Sequence, residues 1–412
     1  MAVPSTLRIA WRNLGRNRKR SLLAVGAIAI GQFSFLAVAA LLNGYTDDFL
    51  DSLTGPLVGH IQVHAYEWRD ERSIDLVMED IDAKLAEIRS DPDVAHASAR
   101  IYAPVLAALT EDGFMSVVVG IDPEAEMHDS GLLPAGAPPG AFDAGSVLVG
   151  RGFARRYDIV PGMELALVGQ DVDGSIASGL FTVADTVRSP VEIVNNLGIV
   201  MTLDDARNFL AMSEDAHEII VHVRNSDVID ATVSRLSAAP ALAGTEVLPW
   251  RDVVPQLVAM IDMMDAFILI VLGVVFIAAA AGIANTMLMS TFERTHEFGM
   301  LLSLGCGPGR LARMITAEAV ILGFVGVGAG TVLGLVFLAV TSQTGLDYAA
   351  LSGGETYEVA FQGLQMGTLM NPRLYPSDIA AGVVAVFLTS LVSVIWPIVR
   401  IVRLEPMEAM RT

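Results

Sequence analysis

The sequence contains one cysteine, Cys306, so no disulfide bond can form within the chain. Any folded domain in it is therefore held by its own hydrophobic core rather than by crosslinks. Charged residues are also scarce: Asp, Glu, Lys and Arg make up 17% of the chain, whereas 53% of its residues are hydrophobic. This composition is unusual for a soluble protein and directs attention to the long uncharged segments.

Four segments contain no Asp, Glu, Lys or Arg and are long enough to cross a bilayer, which requires ~20 residues of helix. They are Ser21–Asn43, Ala266–Met289, Ala319–Thr341 and Ile379–Val399. A buried helix of a soluble protein rarely stays uncharged over such a length, so we predict four transmembrane helices. A cleavable signal peptide is the alternative for the first segment, but its apolar run exceeds the usual ~7–15 residues.

Basic residues cluster in three short segments. Residues 1–20 alternate apolar and basic positions at helical spacing, which predicts an amphipathic leader at the membrane surface. The loop 290–318 and the tail 400–412 are the other two basic segments. The positive-inside rule places all three, and hence both termini, in the cytoplasm. The basic residues are Arg8, Arg12, Arg16, Arg18, Lys19 and Arg20 in the leader, Arg294, Arg310 and Arg313 in the loop, and Arg400, Arg403 and Arg411 in the tail.

Lysine and arginine are scarce in the two remaining segments. Residues 44–265 contain 37 Asp or Glu against 13 Lys or Arg, and residues 342–378 contain four acids and one arginine. Such surfaces argue against binding to nucleic acid, which requires clustered positive charge. A solvated outer surface accounts for the acidity, and repulsion of anionic lipid or capture of a cationic ligand is the alternative.

The segment 44–265 has the patterning of a large mixed α+β domain, inserted between the first and second spans on the extracytoplasmic side. The composition of Leu133–Gly140 predicts a linker or a long loop, and a linker at this point would divide the domain into two lobes. The predicted strands are Gly59–Ala65, Ser116–Ile121, Ser146–Val149, Glu164–Val168, Leu180–Val187, Ile199–Thr202 and Ile219–Val223, and the predicted helices are Val77–Ile88, Gly152–Tyr157, Asp204–Met212 and Ile229–Ser237.

No catalytic constellation is evident in this domain, and we predict that the chain is not an enzyme. His60 and His64 would share one face of a strand, but no third metal ligand is evident, so no metal site is predicted. Asp171, Asp173 and Gly174 resemble the start of a calcium loop that lacks its later acidic ligand, and they predict a turn.

The loop between the second and third spans is longer than a connector needs. Residues Glu293–Leu304 predict a short helix ended by Gly305, too short and too amphipathic to cross the bilayer. Its interleaved charged, small and apolar positions suit a helix that is presented to a cytoplasmic partner. Glu318, at the edge of the third span, is expected to lie at interfacial depth or to pair with Arg310 or Arg313.

Glycines recur every four residues in the third span, at Gly326, Gly330 and Gly334. Small residues at this spacing allow two helix backbones to approach closely, so they predict a helix-packing face. The sequence leaves open whether that face packs within the chain or across a dimer.

This arrangement resembles the permease subunits of the MacB/FtsX-type ABC transporters. The order of basic leader, first span, large domain and three further spans matches that family along nearly the whole chain. The matching residues are Trp11–Leu14, Arg18–Arg20, Gly59–His64, Val147–Gly162, Glu293–Arg294, Glu297–Gly299, Leu304–Gly305, Glu318, the glycines of the third span and Leu404–Arg411.

The resemblance implies that the loop helix couples the permease to an ABC ATPase subunit. His296 and Cys306–Gly309 depart from the usual family residues, which affects the details of that contact. No G-x-x-x-x-G-K-[ST] motif is present, so the chain itself holds no cofactor, and ATP and Mg are expected on a separate ATPase subunit. The residues to which the family assigns the coupling role are Glu293, Arg294, Glu297, Phe298, Gly299, Leu302 and Gly305.

The family also implies a dimer with a second permease chain in the inner membrane. The expected function is extraction or export of a lipoprotein, a lipid or another hydrophobic substrate, driven by the ATPase through movement of the spans. The alternative is a signalling subunit of the FtsX kind, which activates a periplasmic cell-wall hydrolase and transports nothing.

Overall fold

The computed structural model describes residues 18–109, 112–128, 131–133, 142–189, 191–347, 359–361, 364–366 and 369–402. Most of the predicted leader, the linker after Leu133 and the matching segment Leu404–Arg411 lie outside the described residues. The chain divides into two compact units. We call Asp47–Ala259 the inserted domain, and we call the unit built from residues up to 46, from 260 to 351 and from 369 onward the helical unit.

The structure contains the following elements in chain order. The helices are α1 (Arg18–Thr54), α2 (Trp68–Glu71), α3 (Ile81–Ser90), α4 (Pro123–Glu126), α5 (Arg151–Arg156), α6 (Glu192–Leu197), α7 (Leu203–Phe209), α8 (Ile229–Ser237), α9 (Trp250–Val253), α10 (Pro255–Glu293), α11 (Thr295–Ser303), α12 (Pro308–Thr344), α13 (Pro376–Ser393) and α14 (Ile395–Val402). The strands are β1 (Ile61–Ala65), β2 (Val94–Leu109), β3 (Asp112–Ile121), β4 (Ser146–Gly150), β5 (Glu164–Gln170), β6 (Ile176–Val187), β7 (Gly198–Thr202), β8 (Glu218–Val223), β9 (Thr245–Pro249), β10 (Leu346–Asp347), β11 (Val359–Phe361), β12 (Leu364–Met366) and β13 (Leu369–Met370).

Within the part of the chain that the structure describes, four helices are long and apolar enough to cross a bilayer, as the uncharged segments predicted. The first three predicted spans lie within α1, α10 and α12, and each of these helices continues well beyond the apolar run. The fourth predicted span is interrupted at Val394, between α13 and α14. Pro397 accounts for the break, because it lacks an N–H and its ring clashes with the carbonyl of Ser393, four residues earlier.

The helical unit has its own apolar core. Ala24 and Ile28 of α1, Ile283 of α10, Leu322 of α12 and Val386 of α13 are all buried together. Each helix thus contributes one face to the core, and large apolar side chains on the opposite faces are exposed, as lipid contact requires.

The inserted domain is built on one nine-stranded sheet, in the order β3-β7-β4-β6-β5-β2-β8-β1-β9. Because β3 also pairs with β2, six strands close into a ring, and β8, β1 and β9 extend from it. Strand β2 belongs to both parts: Val94–Arg100 pairs with β8, and Arg100–Leu109 pairs with β3. Helices α3, α7 and α8 bury their apolar faces against the sheet.

The predicted strands and helices of this domain are present, with boundaries shifted by a few residues. Strands β5 and β6 form a hairpin, and its turn is closed by the Asp171 carboxylate, which accepts hydrogen bonds from the N–H groups of Asp173 and Ser175. Gly174 has a positive φ of 83°, which an L side chain rarely adopts. These four residues form a turn, as expected.

Candidate functional site

The loop between α10 and α12 folds into the short helix α11. The predicted helix began at Glu293, but in the structure Glu293 ends α10, and α11 starts one residue after Arg294. At the other end Gly305 has a φ of 87°, and Gly305 and Cys306 donate backbone hydrogen bonds to Leu302 and Leu301. This is the glycine stop signal that the sequence predicted.

Arg294 anchors α11 to the rest of the helical unit. Its Nη1 lies 2.9 Å from a carboxylate oxygen of Glu318 on α12, and its Nε lies 3.2 Å from Glu297. Its guanidinium also stacks over the ring of Phe298 at 5.0 Å. The prediction that Glu318 pairs with Arg310 or Arg313 is therefore wrong: Arg294 reaches it instead, because the break between α10 and α11 turns this side chain toward α12.

The predicted coupling residues divide into buried and exposed groups. Phe298 is 1% exposed and belongs to the core of the helical unit, next to buried Gly299. Leu302 packs against the same core. Glu293 is exposed, Glu297 is partly exposed, and a Cβ at Gly305 would meet no atom within 4 Å.

The most exposed apolar side chains of this loop were not among the predicted residues. Met300, Leu301 and Leu304 are 46%, 39% and 80% exposed. They lie on one side of α11 and its C-terminus, opposite the buried Phe298. The helical spacing of the loop contained a signal for them, but the predicted residues were chosen from the family motif instead.

The three glycines of α12 contact α1 of the same chain. A Cβ at Gly326 would lie 2.7 Å from Ile28, and one at Gly330 would lie 2.5 Å from the carbonyl oxygen of Ala29. A Cβ at Gly334 would lie 3.0 Å from Leu36. Of the two open alternatives for this face, the structure therefore shows packing within the chain.

Gln32 is a buried polar residue at this helix contact. It is 1% exposed, lies against Gly382 of α13, and its Nε2 is 3.5 Å from the Thr331 hydroxyl of α12. A polar side chain within a membrane span is retained where a neighbouring helix satisfies it. Gln32 thus connects α1, α12 and α13.

In the inserted domain, one face of the sheet carries mostly polar side chains. Direct cross-strand partners point to the same face of a sheet. The pairing of β1, β8 and β2 forms three such rows, which are His96 with His222, Ser98 with Ile220 and Gln62, and Arg100 with Glu218 and His64.

Arg100 and Glu126 form a fully buried ion pair at the centre of this polar face. The Arg100 Nε and Nη2 atoms lie 2.6 and 2.8 Å from the two carboxylate oxygens of Glu126. Ser98 and the backbone N–H of Leu132 donate further hydrogen bonds to the same carboxylate. Arg100 Nη1 donates to the carbonyl of Pro56, in the turn that joins α1 to β1.

The two buried carboxyl groups near Arg100, those of Glu126 and Glu218, have pKa values shifted in opposite directions. Burial alone would raise the pKa of Glu126, but the charge and hydrogen bonds of Arg100 outweigh burial and hold that pKa at about 2. Burial raises the pKa of Glu218, which shares the charge of Arg100. Glu126 is therefore the ionised partner of Arg100 at neutral pH.

His60 and His64 share one strand face, but their contacts differ. The ring of His60 lies 5.6 Å from that of His222, and the ring of His64 lies 5.8 Å from that of Trp68. Within the described part of the chain, no group of three His, Cys, Asp or Glu side chains is placed to hold a metal ion.

Two family models together cover most of the chain. The MacB-like periplasmic core domain matches residues 21–239, more than half of the sequence, and the FtsX-like permease C-terminal domain matches residues 269–406. The chain therefore belongs to the MacB/FtsX family of ABC transporter permeases. Its fold is the one predicted for that class, with four membrane-length helices and a mixed α+β domain inserted between the first two.

Two curated relatives match most of the chain at low sequence identity. The lipoprotein-releasing system transmembrane protein LolC of Neisseria meningitidis is 20% identical over 416 residues, covering 95% of this chain and 94% of that protein. The uncharacterized ABC transporter permease YknZ of Bacillus subtilis is 23% identical over 361 residues, covering 80% of this chain and 86% of that protein. Among solved structures, the periplasmic region of MacB from Actinobacillus actinomycetemcomitans is 12% identical, with a TM-score of 0.35, covering 51% of this chain and 97% of that one.

Proposed function

We propose that this chain is the permease subunit that couples ATP hydrolysis by a separate ABC ATPase to the extraction or export of a hydrophobic substrate. A lipoprotein or a lipid is the proposed substrate class, and LolC, a relative along nearly the whole chain, is described as part of a lipoprotein-releasing system. In this proposal the inserted domain lies outside the cytoplasmic membrane, and α11 and both termini lie in the cytoplasm.

The construction of α11 is the observation that carries the proposal. Its inner side is fixed by buried Phe298 and by the Arg294–Glu318 ion pair, while Met300, Leu301 and Leu304 remain exposed. A rigidly anchored helix with an exposed apolar face suits insertion into a groove of a partner protein. Movement of that partner would then pass through Arg294 to α12 instead of being absorbed by a flexible loop.

A second permease chain is the other proposed partner. In the most apolar 18-residue stretch of α10 only 11% is buried, against 33–39% in the corresponding stretches of the other three spans. The side chains of Leu269, Ile270 and Ile277 are each more than 60% exposed. This face is available to lipid and to α10 of a second copy or of a related permease.

Purification of the full chain in mild detergent, followed by mass spectrometry of proteins and lipids, tests the proposal. An ABC ATPase should co-purify with the wild-type chain, and Leu304→Glu should remove it, because a charge at the centre of the exposed apolar face cannot be buried without a partner. Met115→Glu changes an equally exposed apolar residue of the inserted domain and serves as the matched control.

The outcomes separate coupling from folding. Retention of the ATPase by Leu304→Glu would contradict the role of this face, and its absence from the wild-type chain would contradict the coupling proposal itself. Substituting Phe298 or Gly299 is less informative, because both are buried within the chain and their loss would disturb α11 whatever it binds. Recovery of a cell-wall hydrolase in place of lipid or lipoprotein would favour signalling.

A further inference from the structure

Basic side chains are scarce in the inserted domain, and most of them are engaged within the chain. Residues 44–265 contain 37 Asp or Glu against 13 Lys or Arg. Nine of these basic residues make an ion pair, a hydrogen bond or a cation–π contact, and they are Arg69, Arg72, Lys84, Arg89, Arg100, Arg207, Arg224, Arg235 and Arg251.

The four remaining basic residues are all arginines and are all exposed. They are Arg151, Arg155, Arg156 and Arg188, and we call them the arginine patch. Among the described residues, none of the four has an ion pair, a hydrogen bond or a ring contact. Each guanidinium carries a permanent charge and five N–H donors. The patch therefore offers charged donors that no acceptor in the described part of the chain uses.

The sheet brings two members of the arginine patch together at one edge. Strands β4 and β6 are parallel, and Gly150 pairs with Val187 where both strands end. Neighbouring strands lie about 4.8 Å apart. Arg151 and Arg188 are the residues that follow this last pair, so they leave the sheet side by side.

The short helix α5 adds the other two members. It begins at Arg151, and its buried residues are Phe153 and Ala154. At 100° per residue these two occupy one side of the helix, so Arg155 and Arg156 lie with Arg151 on the solvent side. All four arginines are thus presented at the same end of the sheet.

No carboxylate of the flanking segments neutralises the arginine patch. Asp158 follows α5, Asp185 belongs to β6 and Glu192 begins α6. Within the described ranges, none of these three forms an ion pair with the patch, and the Asp185 carboxylate accepts a hydrogen bond from the N–H of Thr186. Charges farther away are screened beyond about 8 Å at physiological ionic strength. The patch is therefore locally positive on a domain that is negative overall.

Exposed apolar side chains flank the arginine patch. Ile193 on α6 is 44% exposed and lies three residues before Asn196, so the two are neighbours on the helix surface. A Cβ at Gly152 would collide with the Asn196 side chain, which shows that α5 and α6 touch at this point. Val160, four residues after the last arginine of α5, is 52% exposed. A ligand with an anionic group and an apolar part would contact both kinds of side chain.

We propose that the arginine patch binds the phosphate-bearing headgroup of a single anionic lipid, while Ile193 and Val160 contact the start of its acyl chains. The proposal rests on the proposed function only in taking a lipid as the substrate class. Guanidinium groups match phosphate oxygens in bidentate, charge-assisted hydrogen bonds. An intact anionic bilayer is a poorer partner, because it repels the acidic remainder of the domain. The patch is thus a place for a lipid that has left the bilayer.

Binding of a water-soluble lipid to the full chain, in nanodiscs of phosphatidylcholine, tests the proposal. In a Cys306→Ala background, Pro161→Cys provides one exposed thiol beside Val160 for an environment-sensitive fluorophore, so the signal reports on the patch. Dihexanoylphosphatidylglycerol, used below its critical micelle concentration, should change the fluorescence in a saturable way. Dihexanoylphosphatidylcholine should bind about tenfold more weakly, because its choline group offsets the phosphate charge.

Two double variants remove the binding groups in different places. Arg155→Gln with Arg156→Gln should weaken binding of the phosphatidylglycerol by about tenfold or more, because two charged donors are lost. Arg151→Gln with Arg188→Gln removes the other two donors and should have the same effect. The replaced side chains are exposed, so both variants should keep the circular dichroism spectrum of the wild-type chain.

Arg224→Gln with Arg251→Gln is the matched control. It changes the net charge of the domain by the same amount, but these two arginines already bind the Pro92 carbonyl and the Asp230 carboxylate. Its affinity for the phosphatidylglycerol should stay within about twofold of the wild-type value.

Four results would overturn the proposal. The first is the absence of a saturable signal in the wild-type chain, and the second is equal affinity in the wild-type chain and in both patch variants. The third is binding of inorganic phosphate or glycerol 3-phosphate as tightly as the lipid, which would assign the patch to free phosphate. The fourth is tighter binding of a hexaglutamate peptide, which would assign it to an acidic protein segment. The nanodiscs contain no ATPase, so these results stand apart from the co-purification experiment.

Discussion

Glu126→Gln should destabilise the inserted domain more than any surface substitution, because it leaves the Arg100 guanidinium buried without a counter-charge. Both side chains are at most 1% exposed. The amide of glutamine can accept one of the two hydrogen bonds from Arg100, but its NH₂ group faces a donor where the second oxygen was. Removing one partner of a buried ion pair costs about 3–5 kcal/mol.

The lowered pKa of Glu126 gives an independent estimate of the free energy that the ion pair contributes to folding. Its pKa falls from 4.5 to about 2 on folding, which corresponds to about 3 kcal/mol of stability at neutral pH. A carboxyl group with a lowered pKa stabilises the folded state above its unfolded value, so this contribution is lost as the pH falls from 4.5 to about 2. Because the glutamine cannot titrate, the difference between the two proteins should shrink in that range.

Urea unfolding of residues 47–259, followed by the fluorescence of buried Trp68 and half-buried Trp250, measures the effect. For a domain of this size the loss corresponds to a melting temperature about 10 °C lower. The double variant Arg100→Met with Glu126→Met should lose less free energy of unfolding than the sum of the losses in Arg100→Met and in Glu126→Met alone. The difference should be about 2 kcal/mol or more, since neither charge is left unpaired in the double variant. A cost below about 1 kcal/mol for Glu126→Gln, or strictly additive single effects, would refute the reasoning.

Further predictions address the helical unit and the pH response. Gly330→Leu should lower the melting temperature of the detergent-solubilised chain, because its Cβ would lie 2.5 Å from the Ala29 carbonyl, whereas Gly328→Leu, with nothing within 4 Å, should not. Glu318→Gln should make the loop around α11 more sensitive to protease, since Arg294 then loses its ion pair with α12 and keeps the one with Glu297, and unchanged cleavage would contradict the anchoring role. The isolated domain should lose stability as the pH falls from 6.5 towards 3, because the lowered pKa of His222 makes the unfolded chain bind the proton first, and His222→Phe should flatten that dependence in urea titrations. In a Cys306→Ala background, Ile270→Cys should form a crosslinked dimer in membranes if α10 meets a second chain, whereas Val332→Cys on α12 serves as the exposed control.

The sequence was sufficient for features that depend on long or periodic patterns. The absence of charge over four long segments identified the spans, and the spacing of Gly326, Gly330 and Gly334 identified a packing face. The partner of that face could not be predicted, since glycine spacing shows that a helix approaches closely but not which one. Pro397 indicates a helix break near Val394. This break was missed because the fourth span was predicted from its hydropathy alone.

The buried polar face of the inserted domain was not predicted, because polar and apolar residues alternate regularly along β2. His96, Ser98, Arg100 and Tyr102 alternate with Ala97, Ala99 and Ile101 along β2, and such alternation ordinarily indicates one face in solvent. Here the segment with α4 covers the polar side, so Ser98 and Arg100 are buried. The strand itself escaped prediction because Val94–Leu109 contains six alanines and one proline, residue types with low strand propensity. Arg100 and Glu126 are 26 residues apart in the sequence, so no local pattern predicts that they pair.

Among the described residues, two ion pairs that lie mostly out of solvent, Arg294–Glu318 and Arg100–Glu126, occupy comparable positions in the chain. Arg294–Glu318 fixes the connection between α10 and α11, and Arg100, through Glu126, fixes the turn between α1 and β1. Buried ion pairs are poor sources of net stability, because desolvation offsets their attraction, but they define geometry by penalising every other arrangement. Their placement beside helix ends, instead of within the apolar cores, is therefore consistent with the proposed coupling, in which movement passes from one element to the next.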